Sequence, residues 1–348
     1  MTMNPAGRSP RFLVIRRDNI GDLVCTTPLI AALRERHPGA FIAALVNTYN
    51  REVLDNNPHL DAVYAYGKAK HRAAGESVAS TYADRVRLVL ELRRRRFDTA
   101  ILAAPGFQAR SLRFARWAGA KHIIGFTEGA AGAIDIAVPY GEPAPRHEVE
   151  DVFRLLAPLG IDGEPGPLVL VPDARLAATL RSNLDARLAG DGPVVGIHVS
   201  ARKPSQRWPI ERFAALIAAL HQRYGARAVL LWAPGSERNP AHPGDDEKAS
   251  ALAGLVHDLP VLPVPTFRLA ELMAALSVCD ALVCSDGGAM HLAAALGKSI
   301  LCFFGDSSPT RWRPWGVRHE LLQPQTRDVS AIGVEFALAA FAKLMKEP

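Results

Sequence analysis

The stretch from Asp280 to Pro309 restricts this chain more than any other. Ala281–Cys284 reads as a short apolar strand, and Ser285-Asp286-Gly287-Gly288 as a polar, glycine-rich turn. A small-residue helix over 289–296, Gly297, a second apolar strand at 300–304 and the loop Gly305-Asp306-Ser307-Ser308 complete it. Strand, turn, helix and strand in so short a run is the pattern of a β-α-β unit in a parallel sheet. Its polar residues gather where strands end, which is where open α/β sheets bind ligands. Ser285 or Asp286 can cap the helix, and the amides behind the cap suit an anion or a polar sugar. The unit reads as a small-molecule site and points toward an enzyme.

The rest of the chain is long enough to surround that site with two domains, at 348 residues. Apolar residues make up 49% and charged residues only 22%, which favours packed globular domains over disorder. The formal charge of +6 is consistent with a phosphorylated substrate, an anionic membrane surface or nucleic acid, and selects none of them. Cys25, Cys279, Cys284 and Cys302 lack paired CxxC spacing and sit in or beside apolar sequence. They are expected as buried thiols rather than disulfides or zinc ligands. No signal-type apolar region follows the N-terminus and no run reaches membrane-spanning length, so a cytoplasmic protein without a span is expected.

Taken in order, the chain alternates strands and helices twice. Phe12–Ile15, Phe41–Val46, Val63–Tyr66, Asp98–Ala103 and Ile123–Ile124 read as strands, with helices at 23–36, 49–56, 78–95, 108–118 and 147–159. After the Gly/Pro-rich segment 163–167, helices at 173–188, 210–224, 247–254 and 268–278 alternate with strands at 194–198, 228–232 and 261–262. Two such alternations predict an α/β protein of two Rossmann-like, doubly wound domains facing across a cleft. The boundaries expected are 1–172, 173–330 and a terminal segment 331–348, whose helix could pack back on the first domain.

Asp22, after Gly21 at the end of the first strand, can take a proton from a hydroxyl if it faces a cleft; it can equally be a turn or cap residue. Arg16 and Arg17 can hold an anionic acceptor or be solvated strand-end residues. Ser200, Arg202, Lys203 and Arg207 precede the helix at 210–224, and hydroxyl and cationic groups beside helix amides suit a diphosphate. His291, five residues after Asp286, can meet a phosphate or sugar or be a satisfied structural histidine. His198 is open between core packing and support of the site. The basic pieces 68–72 and 93–96 are solvated faces or, if they share one face, a complement to anionic lipid headgroups. GxGxxG after the first strand, GxxxxGK[ST], HExxH and GxSxG are absent, which weakens dinucleotide, P-loop, zinc-protease and nucleophile-elbow readings. There is no interleaved aromatic and basic pattern for nucleic acid.

Arg16-Arg-Asp-Asn-Ile-Gly-Asp22 running to Pro28, His198-Val-Ser200 with Gln206-Arg-Trp-Pro209, and Ser285-Asp-Gly-Gly-Ala-Met-His291 through Gly305, with Pro314-Trp315-Gly316 beyond, are together informative. The chain resembles the glycosyltransferase family that holds the ADP-heptose:lipopolysaccharide heptosyltransferases, over about residues 11–320. The resemblance implies a fold of the GT-B type, with acceptor bound by the N-terminal domain and nucleotide sugar by the C-terminal one. It implies inverting transfer without an essential metal or other cofactor, the ADP-sugar being a substrate. Asp22 matches the family's catalytic base. Ser200, Lys203 and Arg207, with Asp286, Gly287, Gly288 and His291, fall in the donor-binding segments. An anionic glycolipid or envelope-glycan acceptor would be met by Arg16, Arg17, Lys68, Lys70 and Arg72, at the inner face of the inner membrane. Gly287 stands where the family often has Thr or Ser, and Asp306 places a carboxylate beside the expected diphosphate. Alternatives left standing are another nucleotide-sugar donor, a sugar-nucleotide epimerase, and a non-catalytic envelope-biogenesis protein of the same fold.

Overall fold

The first strand, Arg11–Ile15 (β1), is apolar at every position after Arg11 and buried there. A strand without polar alternation must be covered on both faces, which places it centrally in a helix-flanked parallel sheet. β1 pairs in parallel with Phe41–Asn47 (β2), and β2 with Ala62–Tyr66 (β3). On its other side β1 pairs with Thr99–Leu102 (β4), followed outward by His122–Thr127 (β5) and Ile136–Pro139 (β6). The computed structural model describes residues 8–67, 78–127, 132–140, 145–239 and 244–345. Lys68, Lys70 and Arg72 lie outside these residues.

Helices Ile20–Val24 (α1), Thr27–Arg36 (α2), Val78–Arg95 (α3), Ala109–Trp117 (α4) and Glu148–Phe153 (α5) connect and follow these strands. The first unit's core gathers Leu13, Ile15, Leu45, Leu92, Phe97 and Phe114. The chain divides into two units between Val171 and Pro172.

The second unit repeats the plan. Ala174–Arg187 (α6) precedes Val194–His198 (β7), then Ile210–Tyr224 (α7), Arg227–Trp232 (β8), Asp246–Leu255 (α8) and Val261–Pro265 (β9). Leu269–Val278 (α9), Ala281–Ser285 (β10), Gly288–Ala295 (α10) and Ser299–Phe303 (β11) form the expected β-α-β unit. Pro309–Trp312 (α11), His319–Leu322 (β12) and Val334–Leu344 (α12) close the chain. The strand orders are β3-β2-β1-β4-β5-β6 and β12-β11-β10-β7-β8-β9, all parallel. The order turns back between β1 and β4 and between β7 and β10, and ligand crevices open at the carboxyl ends of strands at such points.

Three local expectations change. The single helix at 23–36 is two helices, because Thr26 Oγ1 donates to Asp22 O (2.9 Å) and Thr27 Oγ1 to Val24 O (2.7 Å), and Pro28 falls in the first turn of α2. The segment around 49–56 is a 3-10 helix, Thr48–Leu54, ended near Asn56 at a positive φ of 59°. The terminal helix, expected within a separate segment 331–348, belongs to the second unit. α12 packs on β11, β12 and α7, and Phe341 is fully buried in the core with Trp208, Phe213 and Phe303. All four cysteines are buried thiols, as expected. Among the described residues no helix is long and apolar enough to cross a membrane.

Candidate functional site

Each topological switch point carries a polar cluster. In the first unit, Arg16 follows β1 and turns inward, its side chain wholly inaccessible. Nη1 donates to Ala103 O at the end of β4 (2.5 Å), so the guanidinium spans the switch point. Nη2 donates to Asp22 Oδ1 and to Glu148 Oε1, both at 2.7 Å. Asp18 Oδ2 lies 3.3 Å from Nε without hydrogen-bond alignment. Burial pulls the Arg16 pKa down, but Glu148, Asp22 and Asp18 outweigh it and the net shift is upward. A buried cation is tolerable only with such partners.

Asp22 is in the first turn of α1, where Oδ2 accepts from Asn19 N (2.8 Å) and Asn19 Nδ2 (2.9 Å). It is therefore both the turn residue and the candidate base that the sequence left open. A carboxylate offers about four acceptor directions, so with one bond on Oδ1 there is room for a substrate hydroxyl. Side chains hold the loop backbone: Asn47 Nδ2 donates to Arg17 O, Asn50 Nδ2 to Asp18 O (3.2 Å) and Tyr49 Oη to Asp18 O. Gln108 Nε2 donates to the Asp18 carboxylate at 3.1 and 3.2 Å.

These contacts correct the reading of Arg16 as an acceptor-holding or solvated side chain: its donors are directed into the protein, and it positions Asp22. Arg17 is also packed rather than solvated. Its Nε donates to Tyr66 Oη, and its guanidinium lies over the rings of Tyr66 (4.8 Å) and Phe114 (5.6 Å). Burial first, and then exposed Arg110 on α4, lower its pKa, with Arg113 adding to the same effect. Three arginines near one another form an anion-attracting edge. Glu148, Arg110 and Arg113 were not singled out from the sequence. Glu148 sits in an acidic first turn of α5 that reads as ordinary dipole complementarity.

In the second unit, three strand-end loops are stitched together. The loop after β7 is anchored by Trp208, which is buried against Phe213 and Phe303 and donates Nε1–H to Ile332 O (3.0 Å). Ser200 Oγ accepts from Ala233 N (2.9 Å), tying the ends of β7 and β8. Lys203 Nζ (3.1 Å) and Ser205 Oγ (3.2 Å) donate to Asp306 Oδ1. This cation holds the Asp306 pKa down, and the carboxylate expected to oppose a diphosphate is paired instead. Gln206 Nε2 (3.1 Å) and Ser307 Oγ donate to Asp286 Oδ2. Burial raises the Asp286 pKa, against the lowering effect of these donors and Lys203. At Gly305 a Cβ would lie 2.4 Å from Ser205 O, so only glycine permits the loops to meet this closely.

Gly287, by contrast, is exposed with an extended φ of 168°, and a Cβ there would meet nothing nearer than Ser285 O at 3.9 Å. It precedes α10 without a side-chain cap, leaving the amides that follow open to a ligand. His291, one turn into α10, is buried and edge-on to Trp312, ring centroids 6.0 Å apart. Arg207 is exposed, its Nε donating to Ala201 O (3.3 Å). The sequence reading missed Lys248 of α8, whose Nζ donates to Val199 O (2.6 Å). Burial lowers the Lys248 pKa, Asp245 opposes this, and Arg207 lowers it further. Two cations held close enough to repel suit a doubly charged anion. His198 is pushed down to about 4 by burial and then by Lys248, and is a neutral packing residue at the base of the loop.

A family model described as glycosyltransferase family 9 (heptosyltransferase) matches residues 85–330. The chain is 26% identical over 301 residues to lipopolysaccharide heptosyltransferase 3 of Escherichia coli, covering 85% of this chain and 83% of that one. It is 26% identical over 307 residues to lipopolysaccharide heptosyltransferase 2 of Salmonella typhimurium, covering 86% and 84%. Among solved structures, a glycosyl transferase family 9 protein from Veillonella parvula superposes with a TM-score of 0.80 at 19% identity, over 96% of this chain and 97% of that one. E. coli heptosyltransferase WaaC, solved with ADP, gives 0.77 at 19% identity over 96% and 99%. A further structure of WaaC holds ADP-2-deoxy-2-fluoro heptose. At these identities the structural likeness shows the fold, which is of the GT-B type.

Proposed function

Because this chain belongs to glycosyltransferase family 9, the heptosyltransferase family, we propose that it moves heptose from ADP-heptose onto an anionic lipopolysaccharide-core or related envelope glycan. The observation that carries this reading is the ion cluster at the first switch point, which holds Asp22 by both carboxylate oxygens. A general base must be fixed within hydrogen-bond reach of the proton it removes, and Arg16 and Asn19 supply that fixity.

In the proposed reaction an acceptor hydroxyl oxygen attacks the donor's anomeric carbon from the face opposite the leaving group. Its proton passes to Asp22, the bond from that carbon to the diphosphate oxygen breaks, and ADP leaves with the electron pair. Attack from the opposite face inverts the anomeric centre. Charge grows on the departing diphosphate, and donors already in place stabilise it most effectively. Arg207, the open amides after Gly287 and the Ser200 hydroxyl are our candidates, with Lys203 and Asp286 fixing the loops that carry them and His291 lining the helix. Arg17, Arg110 and Arg113 suit an anionic acceptor group. No resident metal or cofactor is invoked, so transfer should continue in the presence of a chelator. The lipopolysaccharide heptosyltransferases it resembles support the acceptor class, and the WaaC complexes support the adenine nucleotide.

Calorimetric titration with ADP, UDP and GDP tests the donor, followed by turnover of ADP-heptose with a heptose-free core acceptor. ADP should bind best, and heptose should appear on the acceptor. Preference for UDP or GDP would overturn the donor assignment, and donor consumption without acceptor would overturn the transferase reading.

A further inference from the structure

The outer face of α3 is not explained by either site. Val86 and Leu90 are one helical turn apart and expose 56% and 51% of their surfaces. Single exposed apolar residues are ordinary, but this pair lies in a segment where cations outnumber acids, Glu91 beside Leu90 being one of the two acids. Arg87, Arg93 and Arg94 are exposed and fall on the same side of the helix by its 100°-per-residue geometry. Between 84 and 96 there are six arginines against two acids. Arg87 has Asp84 at 2.9 Å, while Arg93 and Arg94 have no ion-pair partner among the described residues. The basic surface continues beyond the helix, because Arg93 and Arg96 line one small cavity with Ala118, Gly119 and Lys121. Next to Ala118, Trp117 of α4 is 41% exposed. Arginine cations, aliphatic side chains and an indole in that combination match the interfacial zone of a bilayer carrying anionic headgroups.

We infer that the α3 face centred on Val86 and Leu90 docks this protein on an anionic membrane surface, with Arg87, Arg93 and Arg94 on the headgroups. The cations supply long-range attraction and selectivity for acidic lipid, and the aliphatic pair enters the headgroup boundary. The inference goes beyond the transfer reading and does not depend on it, since vesicle binding is measured without donor or acceptor.

The test is co-sedimentation of the full-length protein with phosphatidylcholine vesicles and with vesicles also containing phosphatidylglycerol. Binding should require the anionic lipid and weaken with added salt. R87Q/R93Q/R94Q should reduce it at least about tenfold. V86E/L90E should do the same while circular dichroism and thermal unfolding match wild type. Both variants should retain wild-type turnover on a water-soluble acceptor fragment, so failure of the docking face and failure of the transferase reading give different results. Equal binding to both vesicle types, or undiminished binding by the arginine variant, overturns the inference. So does a wild-type dimer in sedimentation velocity that V86E/L90E converts to monomer, since the face would then be a protein interface.

Discussion

Arg16 Nη2 lies 2.7 Å from both Asp22 Oδ1 and Glu148 Oε1. One guanidinium thus joins the first strand's end, the helix start after it and a helix that begins 132 residues later in the chain. Arg16→Met removes the buried cation that Asp22 and Glu148 share, and breaking such a pair costs about 3–5 kcal/mol. Chemical denaturation should show that loss. R16M/E148M should recover part of the stability without recovering turnover; restored turnover in the double variant would mean the cluster serves the fold alone.

Asp22→Asn preserves the shape of the side chain while removing its capacity to accept a proton. Turnover should fall by about 10²–10⁴-fold, the usual contribution of a positioned base. ADP affinity, which we assign to the second unit, should stay at the wild-type value in the same preparation. Near-normal turnover would remove Asp22 from the mechanism.

His198 makes acid stability a readout of loop packing. Its folded pKa is pushed down to about 4, from an ordinary value of 6.5, by burial and then by Lys248. For a group with a depressed folded pKa the stabilisation is complete above the unfolded value and is lost as pH falls through the folded one. Wild type should therefore lose stability between pH 6.5 and about 4. Comparing denaturation midpoints across that window, His198→Gln should show a shallower loss. An unchanged slope would place the acid sensitivity elsewhere.

Gly305→Ala should be harmful out of proportion to its size. The added Cβ would sit 2.4 Å from Ser205 O, a backbone atom that cannot rotate away. Overpacking of this kind costs about 1–3 kcal/mol. Here it also displaces the loop carrying Lys203 and Arg207, so the donor KM should rise more than the melting temperature falls. A variant with wild-type donor KM would separate the loop contact from donor binding.

Gly287→Ser should behave in the opposite way. Its extended backbone and open surroundings accept a side chain, and replacing a glycine N-cap changes stability by only a few tenths of a kcal/mol. The new hydroxyl faces the amides that we assign to the donor, so thermal unfolding should be unchanged while ADP affinity shifts. A large stability loss would contradict the open geometry at this turn.

The comparison of sequence with structure is most instructive at the strands. β1, β2, β4, β7, β10 and β11 are apolar runs because a strand inside a parallel sheet is covered on both faces. β6 and β12 lie at sheet edges, where Ile136–Pro139 and His319–Leu322 need no continuous apolar run, and their sequences do not announce them. The break between α1 and α2 was signalled only by Pro28, since Thr26 and Thr27 act through side-chain bonds to nearby carbonyls.

The stretch from β10 to the loop after β11 determines its own strand-turn-helix-strand structure, because burial pattern, glycine placement and helix-cap chemistry are all expressed among near neighbours. Asp22 was legible for the same reason, as a polar residue after Gly21 at a strand end. Its tie to Glu148 was decided only in the tertiary structure, as were the pairing of Lys203 with Asp306 and the approach of Lys248 to Arg207. A buried charge is stable only beside its counter-charge, and which residue arrives there depends on how distant segments pack, which no local pattern records.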